Sequence, residues 1–460
     1  MAQAEAPQGG ERPDVAAFEL VPAVGEKEEE LAEHHLRLHL GELVVGENGL
    51  HLRGEPVEEL SDRFRRLVGP DVESRVPHMV FARVSHRYGS MNGEEVASRD
   101  RIRGVIAERI LRFVPSSSAQ GGSSEVFEEL ALAAFAFQFE RIAPYRRLCE
   151  GRGLTPAAVT DWRQIPLVPA AAFKSLELAA APAVEVFRSS GTSAGEEVRS
   201  VHHHPYPDLY RQVIDASFAR FCLPHLPAGS RLPALSLIPT REQLPDSSLS
   251  FMADHVLARH GSPESATAFG PRGVDVVRAR SWAGARQREG RPVLVLATAF
   301  ALVQWLDGLD RLDLRFRLPP GSVLFETGGF KGRVAEVRRE ELLQRTAERL
   351  GIPAGQVVRE YGMTELTSQC YTRALFGEDP DIFVAPPWVR VRILDPETLE
   401  EAPEGQPGLI AVLDLANVGS ALHLLTEDLG VRAGDGFRLL GRAAGAELRG
   451  CSLVVEELRR

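Results

Sequence analysis

Two short segments carry residue types that can do chemistry on a nucleotide. The first, Phe187 to Gly195, reads FRSSGTSAG, a strand-like approach into a loop of two glycines and four hydroxyl residues. Small residues let several backbone N–H groups converge on one point and the hydroxyls add donors, so such a loop can wrap phosphates. It lacks the GxxxxGK[ST] spacing of a Walker loop, and taken alone it also reads as an ordinary surface loop. The second segment, Arg359 to Gln369, reads REYGMTELTSQ and follows two valines. Its tyrosine can stack on a purine, a hydroxyl can reach a phosphate and a carboxylate can hold Mg²⁺ through oxygen. The alternative is a helix N-terminus capped by Thr364.

Rare residues add to this. Of 53 Lys and Arg residues only Lys27, Lys174 and Lys331 are lysine. That bias is what GC-rich coding produces, so the surviving lysines are candidates for positions where arginine cannot substitute. Of the four cysteines, Cys149, Cys222, Cys370 and Cys451, none is paired as CxxC, which points to neither a zinc site nor a disulfide framework. His202, His203 and His204 form a tract that reads either as metal ligands or as strand residues, and His35 and His39 read as the solvated face of a charged helix.

The elements that must position these groups follow from periodicity. Residues 1–14 have the composition of a disordered tail, and ELVVGENGLHLRG reads as a hairpin turning near Asn48-Gly49. The Ser/Gly-rich SSSAQGGSS reads as a linker. The expected division is an N-terminal α+β region over 1–115, a linker at 116–124 and the main domain over 125–460. The main domain opens with a helix carrying a broad apolar face from Phe127 to Phe139. It then alternates short β-like runs (LPALSLIP, RPVLVLAT, GSVLFETG) with helical patterns, as α/β layers do, and ends in strand-like PWVRVRILD, GLIAVLDL and GFRLLGR.

SSGT followed about 170 residues later by YGMTE resembles the adenylate-forming enzyme superfamily. Further pieces resemble its LuxE-type acyl-protein synthetases, which are similar to phenylacetate-CoA ligases: APYRRLCE, PLVPAAAFKS, PDSSLSFM, VLVLATAF, FETGGFKGR, EYGMTELTSQCY, TEDLG and LLGRAAGAELRGCSL. They cover residues 125–460; residues 1–120 lie outside the resemblance. The resemblance implies an α/β adenylate-forming large domain with a β-rich C-terminal portion. It implies that Ser189, Ser190, Gly191, Thr192 and Gly195 hold phosphates, that Thr327, Gly328 and Gly329 line the adenine pocket, and that Tyr361 stacks on the base. Thr364 and Glu365 would contact phosphate and Mg²⁺, and Arg442 would face the nucleotide from a hinge. Asp428 would accept from the ribose hydroxyls, a role suited to a carboxylate, which accepts from two vicinal hydroxyls at once. Cys451 would accept the acyl group; beside Arg449 its thiolate is favoured, although the residue also reads as a small apolar strand end.

The sequence departs from the superfamily pattern twice. Glu196 and Glu197 stand where many relatives have a lysine just after the phosphate loop, and the chain stops at Arg460, leaving room only for a shortened lid. Lys331, within GGFKGR, is the expected replacement for the lid cation, with Arg333, Arg442 and Lys174 as alternatives.

The expected activity is thus that of an AMP-forming acid–thiol ligase using ATP and Mg²⁺. It would activate a carboxylic, in this branch fatty, acid as its acyl-adenylate and pass the acyl group to a cysteine for delivery to a partner such as a reductase or a carrier protein. The alternatives are an acyl- or aryl-CoA ligase of the phenylacetate type and a degenerate fold serving as a scaffold subunit. A net charge of -11 argues against nucleic acid as a partner. The absence of a run near ~18 apolar residues argues against a membrane span. The polar start MAQAEAPQGGERPD lacks the features of a secretory signal, so the expected location is cytoplasmic.

Overall fold

The computed structural model describes residues 124–190, 199–227, 229–328, 338–443 and 457–458, together with three short N-terminal strands. The chain divides into two compact units, 1–97 and 98–460. The expected linker at 116–124 lies, except for its last residue, outside the described residues.

In the first unit, β1 (Leu43–Gly46) pairs antiparallel with β2 (Gly49–Leu52), and β2 pairs with β3 (Glu55–Pro56). The register runs from Leu43↔Leu52 to Gly46↔Gly49, which leaves a two-residue connection and realises the hairpin expected near Asn48-Gly49.

The second unit opens with α1 (Ser124–Arg141), which buries Phe127, Leu130, Ala131, Ala134, Phe135 and Gln138, a helical stripe of three- and four-residue steps. Pro144 stands at the start of α2 (Ala143–Gly151), where its missing N–H costs nothing, so the chain breaks between the two helices and begins again. After β4 (Val168–Pro169), β5 (Glu185–Arg188) and β6 (Val201–His204) form an antiparallel pair whose connecting loop is the Ser/Gly-rich segment.

The main sheet holds twelve strands among the described residues. Its parallel part is β8 (Ala266–Thr267), β7 (Ala234–Ser236), β11 (Leu294–Thr298), β12 (Val323–Thr327) and β13 (Val357–Tyr361), in that spatial order. Between β6 and β13 the chain forms α3 (Pro207–Cys222), α4 (Ser248–His260), α5 (Val276–Glu289), α6 (Ala299–Arg311) and α7 (Arg339–Leu350), with β9 (Phe269–Gly270) and β10 (Gly273–Val274) as a small separate pair. Caps define the helix ends: Asp275 and Thr298 accept from backbone N–H groups at the starts of α5 and α6, while Gly290 and Gly351 close α5 and α7 in the left-handed conformation. LVLAT and VLFET are apolar on both sides because Leu294, Leu296, Val323 and Phe325 join the core that contains Phe218, while Val295, Ala297 and Leu324 join the one that contains Trp305 and Leu306.

Beyond β13 the pairing turns antiparallel through β14 (Cys370–Thr372), β15 (Ile382–Val384), β19 (Gly436–Arg442), β18 (His423–Ala433), β17 (Gly408–Asp414) and β16 (Val389–Leu394). This is the β-rich C-terminal portion read from the Pro/Gly-punctuated sequence. The tail comes back onto the same unit: Leu458 is fully buried in the main core and Glu457 pairs with Arg152 at 2.7 Å. Among the described residues no helix is long and apolar enough to cross a membrane.

Candidate active site

In open α/β sheets, ligands bind outside the carboxyl ends of the parallel strands. Here those ends present Thr327 from β12 and Tyr361 from β13. The Thr327 hydroxyl donates to the Glu360 carboxylate, and Gly328 then leaves the strand at a φ of 75°, a conformation that favours glycine. A side chain at Gly362 would meet that same carboxylate, which would have to shift to admit it. The Tyr361 ring is buried edge-on against Phe437, and its hydroxyl donates to Asp428 Oδ2 at 3.0 Å.

Asp428 reaches this point because the β17–β18 pairing slips. Leu409 pairs with Leu429 and Ala411 with Leu425, so Thr426, Glu427 and Asp428 together face the single residue Ile410. Such a bulge bends the strand and re-aims its side chains. Thr426 anchors it by donating to the Ile410 carbonyl at 2.8 Å, while the Asp428 N–H donates to the Thr426 hydroxyl at 3.1 Å. Arg442, opposite Asp428 in β19, lies 3.6 Å from Asp428 Oδ1 and 3.2 Å from Glu427 Oε2.

Glu365 is 5% exposed. Burial raises its carboxyl above the ordinary value, opposed by a hydrogen bond from Ser200 and by the charge of Arg442. Ser200 belongs to the stem of the Ser/Gly-rich loop. Its N–H donates to Ser189 Oγ at 3.0 Å and its carbonyl accepts from the Ser189 N–H at 3.0 Å. Arg199 closes the stem, reaching the carbonyls of Arg188 and Ser189 and, at 3.1 Å, Asp246. The neck of the loop, Glu365, Arg442, Asp428 and Tyr361 are thus linked in one neighbourhood. Ser190 stands at the loop entrance, and Thr364, half-buried, presents its carbonyl to His202. Gly191, Thr192, Gly195, Gly329, Lys331 and Cys451 lie outside the described residues.

The histidine tract is realised as strand residues: His202 and His204 are buried and hydrogen-bonded to Thr364 O and Thr367 Oγ, whereas His203 alternates to the other side of β6. Asp414 and Asn417 hold the segment after Glu365, and Gln138 of α1 holds Asn417 and Val418 through their carbonyls at 3.0 and 3.1 Å. No local pattern in the sequence marks the partners of those three.

The described cysteines are poor nucleophiles. Cys149, Cys222 and Cys370 are buried, and burial pushes all three thiols up, that of Cys149 to about 12. Maleimide treatment of native protein at neutral pH is expected to leave all three unmodified and to label them after denaturation. Peptide mapping checks this; native labelling of Cys149 would contradict the burial.

Among the described residues no three His, Cys, Asp or Glu side chains converge as a metal cage. A single buried carboxylate beside hydroxyls nevertheless fits Mg²⁺, which is held by one or two carboxylates with water and substrate phosphate oxygens completing its shell.

Comparison with known proteins bears on the family and the fold. Residues 283–458 match the family described as acyl-protein synthetase, LuxE. A long-chain-fatty-acid–luciferin-component ligase of Vibrio harveyi is 21% identical over 363 residues, spanning 76% of this chain and 93% of that protein. A protein of the same name from Aliivibrio fischeri is 39% identical over 46 residues, 10% of this chain and 12% of that one. Among solved structures, an open conformation of 2-hydroxyisobutyryl-CoA ligase, in complex with 2-HIB-AMP and CoA, superposes with a TM-score of 0.52 at 17% identity over 69% of each chain. Its postadenylation state gives 0.53 at 16% identity, covering 72% of this chain and 69% of that one. At such identities the likeness is one of fold, and it establishes the α/β architecture of the adenylate-forming ligases.

Proposed function

We propose, from the match of residues 283–458 to the LuxE acyl-protein synthetase family, that the chain activates a fatty acid with ATP and passes the acyl group to a thiol. The observation that carries this reading is the convergence of the Ser189–Ser200 stem, Glu365, Arg442, Asp428 and Tyr361 at the carboxyl ends of β12 and β13. The substrate carboxylate attacks the α-phosphorus of ATP, forming a C–O–P bond as the bond to pyrophosphate breaks. Little of this requires proton transfer, so the protein's work is in-line positioning and charge neutralisation.

Ser189 and Ser190, with Gly191, Thr192 and Gly195, are assigned to the phosphates. Asp428 is assigned to the ribose hydroxyls, and Thr327, Gly328, Gly329 and Tyr361 to the adenine. Thr364 and Glu365 would hold Mg²⁺, which when bound neutralises phosphate charge. Arg442 is assigned to the nucleotide, within reach of both carboxylates. The thiol acceptor is assigned to Cys451, and the acylated enzyme would then deliver to a reductase or carrier. The scheme is tested by acid-dependent ATP–pyrophosphate exchange across acids of graded chain length: exchange with long-chain acids supports it, and no exchange with any acid removes it.

Lys331 is assigned the charge that a longer lid would deliver. A compact ammonium and a planar guanidinium are not interchangeable at a constrained phosphate site. Lys331→Arg is therefore expected to slow exchange about tenfold although the charge is kept, an effect of about 1.4 kcal/mol. Unchanged exchange in that variant would move the role to Arg333, Arg442 or Lys174.

A further inference from the structure

The segment from Gly362 to Gln369, which carries Thr364 and Glu365 between β13 and β14, contains neither helix nor strand. From Glu365 to Gln369 it is buried throughout. Buried backbone groups require partners, and here the neighbouring chain supplies few of them. Within the segment, the Leu366 N–H donates to Met363 O at 3.1 Å and Gln369 Nε2 donates to Thr367 O at 3.2 Å. The side chains of Asp414, the last residue of β17, and of Asn417, in the turn after it, partner three more backbone groups. Asp414 Oδ2 accepts from the N–H groups of Thr367 and Ser368 at 3.1 and 2.7 Å, and Oδ1 accepts from Ser368 Oγ at 2.7 Å. Asn417 Nδ2 donates to Glu365 O at 3.0 Å and to Ala421 O at 2.7 Å, while its Oδ1 accepts from Thr367 Oγ1 at 2.8 Å.

The directions of these bonds are fixed by chemistry. A carbonyl only accepts, so His202 carries its proton on Nδ1 to reach Thr364 O at 2.7 Å. The Thr367 hydroxyl spends its proton on Asn417, so it accepts from His204 Nε2 at 3.1 Å. Burial keeps both imidazoles neutral, so these bonds set them in opposite tautomers. Asp414 also accepts from the Ala416 N–H at 3.0 Å, which ties its own position to that of Asn417. Behind them Gln138 donates to the carbonyls of Asn417 and Val418 and accepts from the Leu422 N–H at 3.0 Å.

We propose that Asp414 and Asn417 are positioning residues for Thr364 and Glu365: they hold in place, through buried polar contacts, a turn that no secondary structure holds. The inference rests on the adenylation reading and adds to it the residues on which the accuracy of the metal- and phosphate-facing turn depends. A misplacement of about 1 Å in a reacting group can cost on the order of 100-fold in rate while leaving binding largely intact. Asp414 and Asn417 act from one layer behind, so their loss is expected to appear in kcat rather than in KM.

The test uses the full-length chain carrying Asn417→Ala or Asp414→Asn. Circular dichroism and thermal melting establish folding at the assay temperature, calorimetry gives the Kd for ATP, and pyrophosphate exchange gives kcat and KM for an acid accepted by the wild type. For a folded variant the expected result is a kcat reduced at least about tenfold, with KM for the acid and Kd for ATP within about threefold of wild type. A folded variant with wild-type kcat overturns the proposal, as does a change confined to KM. Failure of both variants to fold assigns the two residues to stability alone and overturns it as well. If the wild type exchanges with no acid, the adenylation reading fails first and takes this proposal with it, a result told apart by the inactivity of the unmodified chain.

Discussion

Glu365→Ala is expected to lower acid-dependent ATP–pyrophosphate exchange by about 30- to 1000-fold, equivalent to about 2–4 kcal/mol of transition-state stabilisation. The carboxylate is buried, so its interactions are poorly screened. Glu365→Gln separates charge from shape: it keeps a hydrogen-bonding oxygen for Ser200 but cannot counter a cation, and its loss should approach that of alanine. Thr192→Ala should also fall at least about tenfold if that hydroxyl contacts phosphate. The pH profile carries a second signature. Burial raises the Glu365 pKa, so as pH falls the carboxylate is lost earlier than an ordinary glutamate would be. The acid limb of exchange should therefore lie above the usual glutamate range and vanish in Glu365→Gln. Full exchange in Glu365→Gln would remove Glu365 from the site.

How much of this was legible in the sequence depended on range. Ser189, Ser190, Tyr361, Thr364, Glu365 and Asp428 stand in compact segments, where backbone conformation and chemistry are specified together, and such segments can be recognised piece by piece. The α/β alternation was legible for a related reason, since the doubly covered strands β11 and β12 are short uninterrupted apolar runs bounded by turns. Gln138, Asp414 and Asn417 were not legible. Gln138 lies in an apolar helical stripe, which marks its burial, but it bonds to residues about 280 positions away, so nothing local shows what it holds. The bulge that turns Asp428 toward Tyr361 is likewise a property of two strands in register, not of TEDLG. The anchoring of the chain near its end is another long-range property: Leu458 is buried in the core and Glu457 is paired with Arg152, about 300 positions away.

That anchoring sharpens the remaining prediction, that Cys451 carries the acyl group. The segment bearing it is held at both ends, by Ala443, whose N–H donates to Glu427 O at 2.9 Å, and by Glu457. Eight residues from Ala443 and six from Glu457 give extended reaches of about 28 and 20 Å, enough to bring the thiol to a site bounded by Arg442 and confined enough to raise its effective concentration there. The other three cysteines are buried with raised pKa values, which leaves Cys451, beside Arg449, as the acceptor the chemistry favours. Its thiolate would attack the carbonyl carbon of the acyl-adenylate, forming the C–S bond as the C–O bond to AMP breaks, with AMP leaving as the phosphate anion. Cys451→Ser is therefore expected to keep pyrophosphate exchange, since adenylation precedes the thiol. It should lose the hydroxylamine-sensitive mass adduct that wild type acquires with ATP and acid. If wild type never shows that adduct and Cys451→Ser makes acyl-CoA as fast as wild type, the acceptor is a diffusing thiol and the protein works as an acyl-CoA ligase.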